Sequence, residues 1–128
     1  REKLSVFGDD YPTADGTGER DYIHVMDLAR GHVLALNHLL AGNDSFTVNL
    51  GTGKPVTVLQ MVQAFEQASG KPIAYTIAPR RAGDVASVYA NPELARQLLG
   101  FETEYSIAEM CRDAWVWQSR NPNGYDEA

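Results

Sequence analysis

"SFTVNLGTGKPVTVLQMVQAFEQASGKPIAYTIAP", residues 45–79, changes its hydrophobic period twice. In Ser45–Leu50 the apolar residues Phe46, Val48 and Leu50 alternate with polar ones, and a period of two is that of a strand. Gly51-Thr52-Gly53 turns the chain. Thr57-x-x-Gln60 then reads as a capping box, in which two side chains satisfy each other's backbone N–H groups at a helix start. Leu59, Val62, Phe65 and Ala68 follow at helical spacing, and Gly70 is a natural stop. Ile73, Tyr75 and Ile77 restore the alternation of a strand. Strand, helix and strand in one short run point to an α/β fold.

Working outward, Leu4–Phe7 is an apolar run ending at Gly8 and predicts a strand, followed by the loop "GDDYPTADGTGERD" and a briefly extended Tyr22–Val25. Asp27 is placed to cap an amphipathic helix over Leu28–Ala41, with Leu28, Val33, Leu36, Leu39 and Leu40 on its apolar face and Gly42 beyond it. That helix and the strand after it read as the last piece of a parallel βαβ sheet whose earlier strands are missing. Beyond residue 79, Asn91-Pro92 predicts an N-cap with proline at the first helical position, in a helix that stops at Gly100. Ser106-x-x-Glu109 opens a final helix carrying Ile107, Met110, Cys111, Ala114 and Trp117, which ends before Pro122. No repeat or linker divides the chain. The expectation is a single domain over residues 1–128, a small sheet with flanking helices.

The 128 residues carry a formal charge of −6, which argues against a broad nucleic-acid footprint. Any phosphate must be held by a local cluster of cations. Cys111 is the one cysteine, so no internal disulfide forms, and a reducing compartment such as the cytoplasm suits the chain. No apolar run approaches the ~20 residues that span a bilayer as a helix. Asn43-Asp44-Ser45 matches a glycosylation triplet, but nothing else suggests secretion. The chain opens on Arg1, and "REKLSVFG" reads as beginning inside a structure, so the expectation is part of a longer protein.

The local cluster of cations is "APRRAGD". Arg80 and Arg81 follow a predicted strand, between Pro79, which restricts the approach, and Gly83, which permits a tight turn. Guanidinium is a planar fork of donors matched to phosphate oxygens. Asp84, three residues on, can accept from sugar hydroxyls. Arg20 follows a glycine-bearing loop, beside Asp21 and Tyr22. A flexible loop and a rigid one would then clamp a diphosphate from two sides. The plain alternatives are surface ion pairs: a salt-bridge loop around Arg81, and a bridge from Arg20 to Asp21 or Glu19. Gly51-x-Gly53 lacks the third glycine of a dinucleotide loop, Val56 standing in its place. Catalytic machinery is not found. His24, His32 and His38 have no metal spacing with Cys111. His24 reads as a structural side chain hydrogen-bonding a loop, Cys111 as core, and Trp115 and Trp117 as core or interface packing.

The strings "VFGDDYPTADGTGERDYIHVMDLARGHVLAL", "NLGTGKPVTVLQMVQAFEQASGKPI", "APRRAGDVASVYANPELARQLLGF" and "WQSRNPNGY" together resemble the C-terminal, substrate-binding part of the UDP-glucose 4-epimerases. These belong to the extended short-chain dehydrogenase/reductase family, whose other part is a Rossmann-type NAD-binding domain. The resemblance covers essentially the whole chain. It implies an isomerase that interconverts UDP-galactose and UDP-glucose through a 4-keto intermediate with bound NAD, working as a cytoplasmic homodimer in galactose metabolism. It implies substrate-binding roles for Arg20, Tyr22, Val58, Arg81 and Asp84, with Arg20 and Arg81 on the diphosphate and Asp84 on the ribose. Some bacterial members carry tyrosine four residues beyond that aspartate; this chain has Val88 there, and Tyr89 should point the other way. The family's Tyr-x-x-x-Lys pair is absent: four positions after Tyr11, Tyr22, Tyr75, Tyr89 and Tyr105 stand Asp15, Met26, Pro79, Glu93 and Glu109. The chain alone is therefore expected to bind UDP weakly and to catalyse nothing. Two alternatives are an epimerase of another UDP-sugar, such as an N-acetylhexosamine, and a binding or assembly module without chemistry. Helix faces left uncovered would favour self-association.

Overall fold

Both predicted capping boxes close. In the computed structural model, which describes residues 3–125, the Thr57 hydroxyl accepts from the Gln60 N–H (3.1 Å) and Gln60 Oε1 accepts from the Thr57 N–H (2.9 Å). This starts helix α2, Val58–Ser69, which Gly70 ends in the left-handed region (φ 66°). Ser106 and Glu109 do the same for α4, Ile107–Arg120. The two helices pack on each other, with Val62 and Cys111 buried and the Cys111 thiol 3.7 Å from Met61 Sδ. Residues 1 and 2, the opening of "REKLSVFG", lie outside the described residues.

Helix α1, Val25–Leu40, starts three residues before its predicted position, and its cap is not Asp27. His24 Nδ1 accepts the Met26 N–H (3.0 Å), while its ring stacks on Tyr105 at 4.3 Å and its Nε2 lies 3.3 Å from Asp113. An imidazole fixed from two sides is a ready acceptor at the helix entrance. No strand runs through residues 22–25. Asp27 instead sits inside the first turn, fully buried, where its carboxylate accepts the N–H groups of Glu104 and Tyr105 and pairs with Arg30. The helix packs through Asp27 and Gly31, and Gly31 is needed because a Cβ there would lie 2.6 Å from Leu50 Cδ1 and 3.2 Å from the buried ring of Phe101. The predicted apolar face points outward: Val33, Leu36, Leu39 and Leu40 are exposed, Leu40 by 76%.

Strand β1, Leu4–Phe7, pairs in parallel with β4, Tyr75–Ala78, Leu4 opposite Tyr75. A second sheet has two-residue strands in the order β3 (Val56–Thr57), β2 (Glu19–Arg20), β5 (Ser87–Val88), with β2 antiparallel to β3 and parallel to β5. The predicted strand Ser45–Leu50 does not form. Its alternation survives in burial, with Phe46, Val48 and Leu50 half-buried and their neighbours exposed, but no strand pairs with it among the described residues. Helix α3, Glu93–Leu99, begins one residue later than predicted, with Pro92 at the cap and Asn91 Oδ1 accepting the Glu93 N–H. Trp117 is 44% exposed, and Trp115 lies under Lys71, so neither belongs to the core of Val6, Tyr11, Val62, Ala95, Phe101 and Cys111. The fold class is α/β, small sheets flanked by helices.

Candidate ligand-binding site

Arg20 is delivered by the middle strand of the three-stranded sheet. Glu19 N–H donates to Ala86 O and Asp21 N–H to Val88 O, so β2 is fixed against β5 on both sides of the arginine. The Arg20 guanidinium passes over Gly18 and donates to Glu19 O (2.7 Å). Neither expected carboxylate partner takes it. Asp21 is occupied: its oxygens accept from Thr52 N–H (3.0 Å), Thr52 Oγ1 (2.6 Å), Gly53 N–H (2.9 Å) and Ala90 N–H (3.2 Å). Burial pushes the Asp21 carboxyl up, but these hydrogen bonds outweigh it and hold the group below the usual carboxylate range. Gly51-Thr52-Gly53 is therefore a turn wrapped around Asp21.

The loop before Arg20 is tied down rather than flexible. Asp15 accepts from the Thr17 N–H (3.0 Å), the Thr17 hydroxyl (2.7 Å) and the Thr57 hydroxyl, and Tyr11 N–H donates to Gly16 O (2.8 Å). Arg80 fastens the other end: its guanidinium lies 4.0 Å over the Tyr11 ring and donates to both Asp10 Oδ1 and Asp10 O at 2.6 Å. Arg80 is thereby used in structure. Arg81, its neighbour, is held differently. Its Nε donates to Asp84 Oδ2 (2.9 Å) and its guanidinium rests 4.6 Å over the Phe7 ring, while the side chain stays 61% exposed.

Arg20, Tyr22, Val58, Arg81 and Asp84 all line one cavity of about 270 Å³, completed by Ser5, Val6, Phe7, Tyr11 and Gly18. The structure thus brings together these five residues, which the sequence reading assigned to substrate contact, from three separate stretches of chain. Two guanidinium groups against one carboxylate make this wall locally positive in an acidic chain. The second group of five escaped sequence reasoning. Phe7 carried the one available signal, an aromatic residue at the end of a strand beside a Gly-Asp turn. Val88 and Tyr89 line a neighbouring open groove of about 490 Å³, which shares Arg20 with the cavity. Elsewhere, burial pushes the Cys111 thiol up, away from nucleophilic use. Among the described residues no three His, Cys, Asp or Glu side chains cluster closely enough to hold a metal ion, and no helix is long and apolar enough to cross a membrane.

Comparison with known proteins adds to this geometry. The family model described as GDP-mannose 4,6 dehydratase matches residues 1–114. A UDP-glucose 4-epimerase of Bacillus subtilis is 55% identical over 127 residues, which is 99% of this chain and 38% of that protein. The crystal structure of a UDP-glucose 4-epimerase from Stenotrophomonas maltophila, with bound NAD and formylated UDP-arabinopyranose, superposes with a TM-score of 0.91 at 49% identity, over 94% of this chain and 36% of that one. The enzyme from Bifidobacterium longum, in complex with NAD+ and UDP, gives 0.90 at 47% identity, over 98% and 37%. The chain thus spans little more than a third of the length of the relatives it matches.

Proposed function

The chain belongs to the family described as GDP-mannose 4,6 dehydratase, among the extended short-chain dehydrogenases/reductases, and from that premise we propose that it is the UDP-sugar grip of a UDP-glucose 4-epimerase. The observation that carries the reading is the convergence of Arg20, Tyr22, Val58, Arg81 and Asp84 on one cavity. Arg20 and Arg81 neutralise the diphosphate from opposite sequence directions. Arg81 is pre-aimed by Asp84 and Phe7, so little side-chain freedom is lost on binding. Asp84, 23% exposed, keeps carboxylate lone pairs for ribose hydroxyls. Tyr22 and Val58 offer flat and apolar wall to the nucleoside.

In the whole protein this grip would hold UDP-galactose or UDP-glucose for interconversion through a 4-keto intermediate. NAD is bound in the solved relatives, and the Gly51-x-Gly53 turn of this chain is not shaped to cradle it. The Thr52 and Gly53 N–H groups point at Asp21, and a Cβ on Gly51 would lie 2.6 Å from Asp21 Oδ2, so the chain itself fills that turn. No chemical step is therefore assigned to these residues. We further read the whole protein as a cytoplasmic homodimer serving galactose metabolism, as the resemblance to the UDP-glucose 4-epimerases implies.

Calorimetric titration with UDP tests the grip. The native chain binds UDP, and Arg20→Ala and Arg81→Ala each weaken it about 10- to 100-fold, the range for a charge-assisted contact. No binding by the native chain, or unchanged binding by both variants, refutes it. The 128-residue chain should not convert UDP-galactose in the presence of NAD; measurable turnover would overturn the division of labour.

A further inference from the structure

Arg80 follows strand β4 and precedes the turn that carries Arg81 and Asp84, and it is not part of the cavity lining. Its side chain nevertheless crosses to the opposite loop. Nε donates to Asp10 Oδ1 and a terminal nitrogen to Asp10 O, both at 2.6 Å, while the guanidinium lies 4.0 Å over Tyr11, a buried residue of the lining. Gly8 leaves room for the crossing, since a Cβ there would lie 2.7 Å from Arg80 Cγ. The loop it reaches is itself fixed, by Tyr11 N–H on Gly16 O and by Asp15 on Thr17 and Thr57.

The backbone at Arg81 has little else to hold it. Strand β4 ends at Ala78, whose O accepts the Gly8 N–H, and the next backbone bond lies within the turn, from Asp84 N–H to Arg81 O. Neither Arg80 nor Arg81 donates its own N–H to a backbone group among the described residues. The ion pair of Arg81 with Asp84 joins two residues of one turn. It aims the guanidinium within the turn without fixing the turn against the rest of the molecule, and stacking on Phe7 restrains the side chain rather than the backbone. The Arg80 fork supplies that fixing. Its ion pair with Asp10 is 45% and 73% exposed, so it adds little to overall stability, and its chief effect is on placement. We propose that Arg80 is a positioning residue for substrate capture: anchored on Asp10 and Tyr11, it holds the turn so that Arg81 meets the ligand already aimed. This inference rests on the function proposed above.

Two variants break the anchor with opposite changes in charge. Arg80→Met removes a positive charge; Asp10→Ala removes a negative one, which by Coulomb attraction alone would tighten the hold on an anion. Calorimetric titration with UDP should nevertheless show both weakened about three- to tenfold, the effect of having to order one long side chain on binding. In an Arg81→Ala background neither change should move the affinity by more than about twofold, because the group being aimed is gone. In the ligand-free chain, NMR relaxation should show the backbone order parameter at Arg81 falling from about 0.85 to about 0.6 in both variants. Equal or tighter UDP binding by Asp10→Ala overturns the inference, since Arg80 would then act by charge. A loss that persists in the Arg81→Ala background overturns it too, since the anchor would then serve the cavity as a whole, and so does an order parameter unchanged in both variants. Failure of the native chain to bind UDP sinks the proposed function, while the ligand-free relaxation measurement still decides whether Arg80 holds Arg81.

Discussion

Replacing Asp21 by asparagine changes almost no volume yet should be among the most damaging conservative substitutions in the chain. The carboxylate accepts four hydrogen bonds, two on each oxygen, and joins the arginine-bearing strand to the turn at residues 51–53 and to Ala90. Asparagine has one oxygen. Its best orientation puts the amide nitrogen where Oδ1 was, because the Thr52 hydroxyl can rotate to accept while Gly53 and Ala90 keep their acceptor. The Thr52 N–H then faces another donor. An unpaired buried donor costs about 1–3 kcal/mol, and converting the remaining charge-assisted bonds to neutral ones removes roughly 1 kcal/mol each. The total is about 3–5 kcal/mol, or a fall of roughly 10–20 °C in melting temperature for a domain of this size. Circular dichroism melts of the native chain and Asp21→Asn at pH 7 measure it directly. A shift under about 3 °C would refute the reasoning and show that the turn holds itself.

Other outcomes follow from the same contacts. Asp15, Asp21 and Asp27 are pushed up by burial but pulled further down by their hydrogen bonds, so each folded-state pKa lies below its unfolded value. Their stabilisation is fully present above the unfolded value of about 3.9 and is lost as pH falls through the lowered folded ones; melting temperature against pH should hold level down to about pH 4 and drop below it, and a decline already complete at pH 5 would contradict this. Gly31→Ala drives a methyl group into Leu50 and Phe101 and should cost about 1–3 kcal/mol by overpacking, read from urea midpoints, despite alanine's better helix propensity. Thr57→Val removes the acceptor that caps α2 and a donor to Asp15, and should lose about 1–2 kcal/mol in the same assay.

What the sequence made legible was local. Thr57 with Gln60, and Ser106 with Glu109, interact across three residues, so the pattern contains the whole interaction. The glycines at 70 and 100 end their helices for the same local reason. Arg81 and Asp84 likewise pair across three residues. What stayed hidden was decided at a distance. Asp27 looks like a cap until Glu104 and Tyr105 arrive with N–H groups to bury it. Phe46, Val48 and Leu50 have a strand's alternation, but pairing needs a neighbour that periodicity does not supply. Strands of two residues, such as Glu19–Arg20, have no period to read. Tyr11 sits in a loop of Asp, Pro and Gly, with nothing to mark it as part of the core. Arg20, Tyr22, Arg81 and Asp84 could be read from residue chemistry, Val58 only through resemblance, and only folding explains why the five meet.

The pairing of Leu4 with Tyr75 has a kinetic consequence. Phe7 stands at the end of one of these strands, and Arg81 lies just beyond the other, so the two walls they supply are united only when distant stretches of chain meet. Closing so long a loop is entropically slow, and neither helix caps nor the local turns hasten it. Competence to capture a nucleotide should consequently mature late during refolding, trailing the recovery of helical signal, so that ligand fluorescence or exchange protection would serve as a clock for the final stage of assembly.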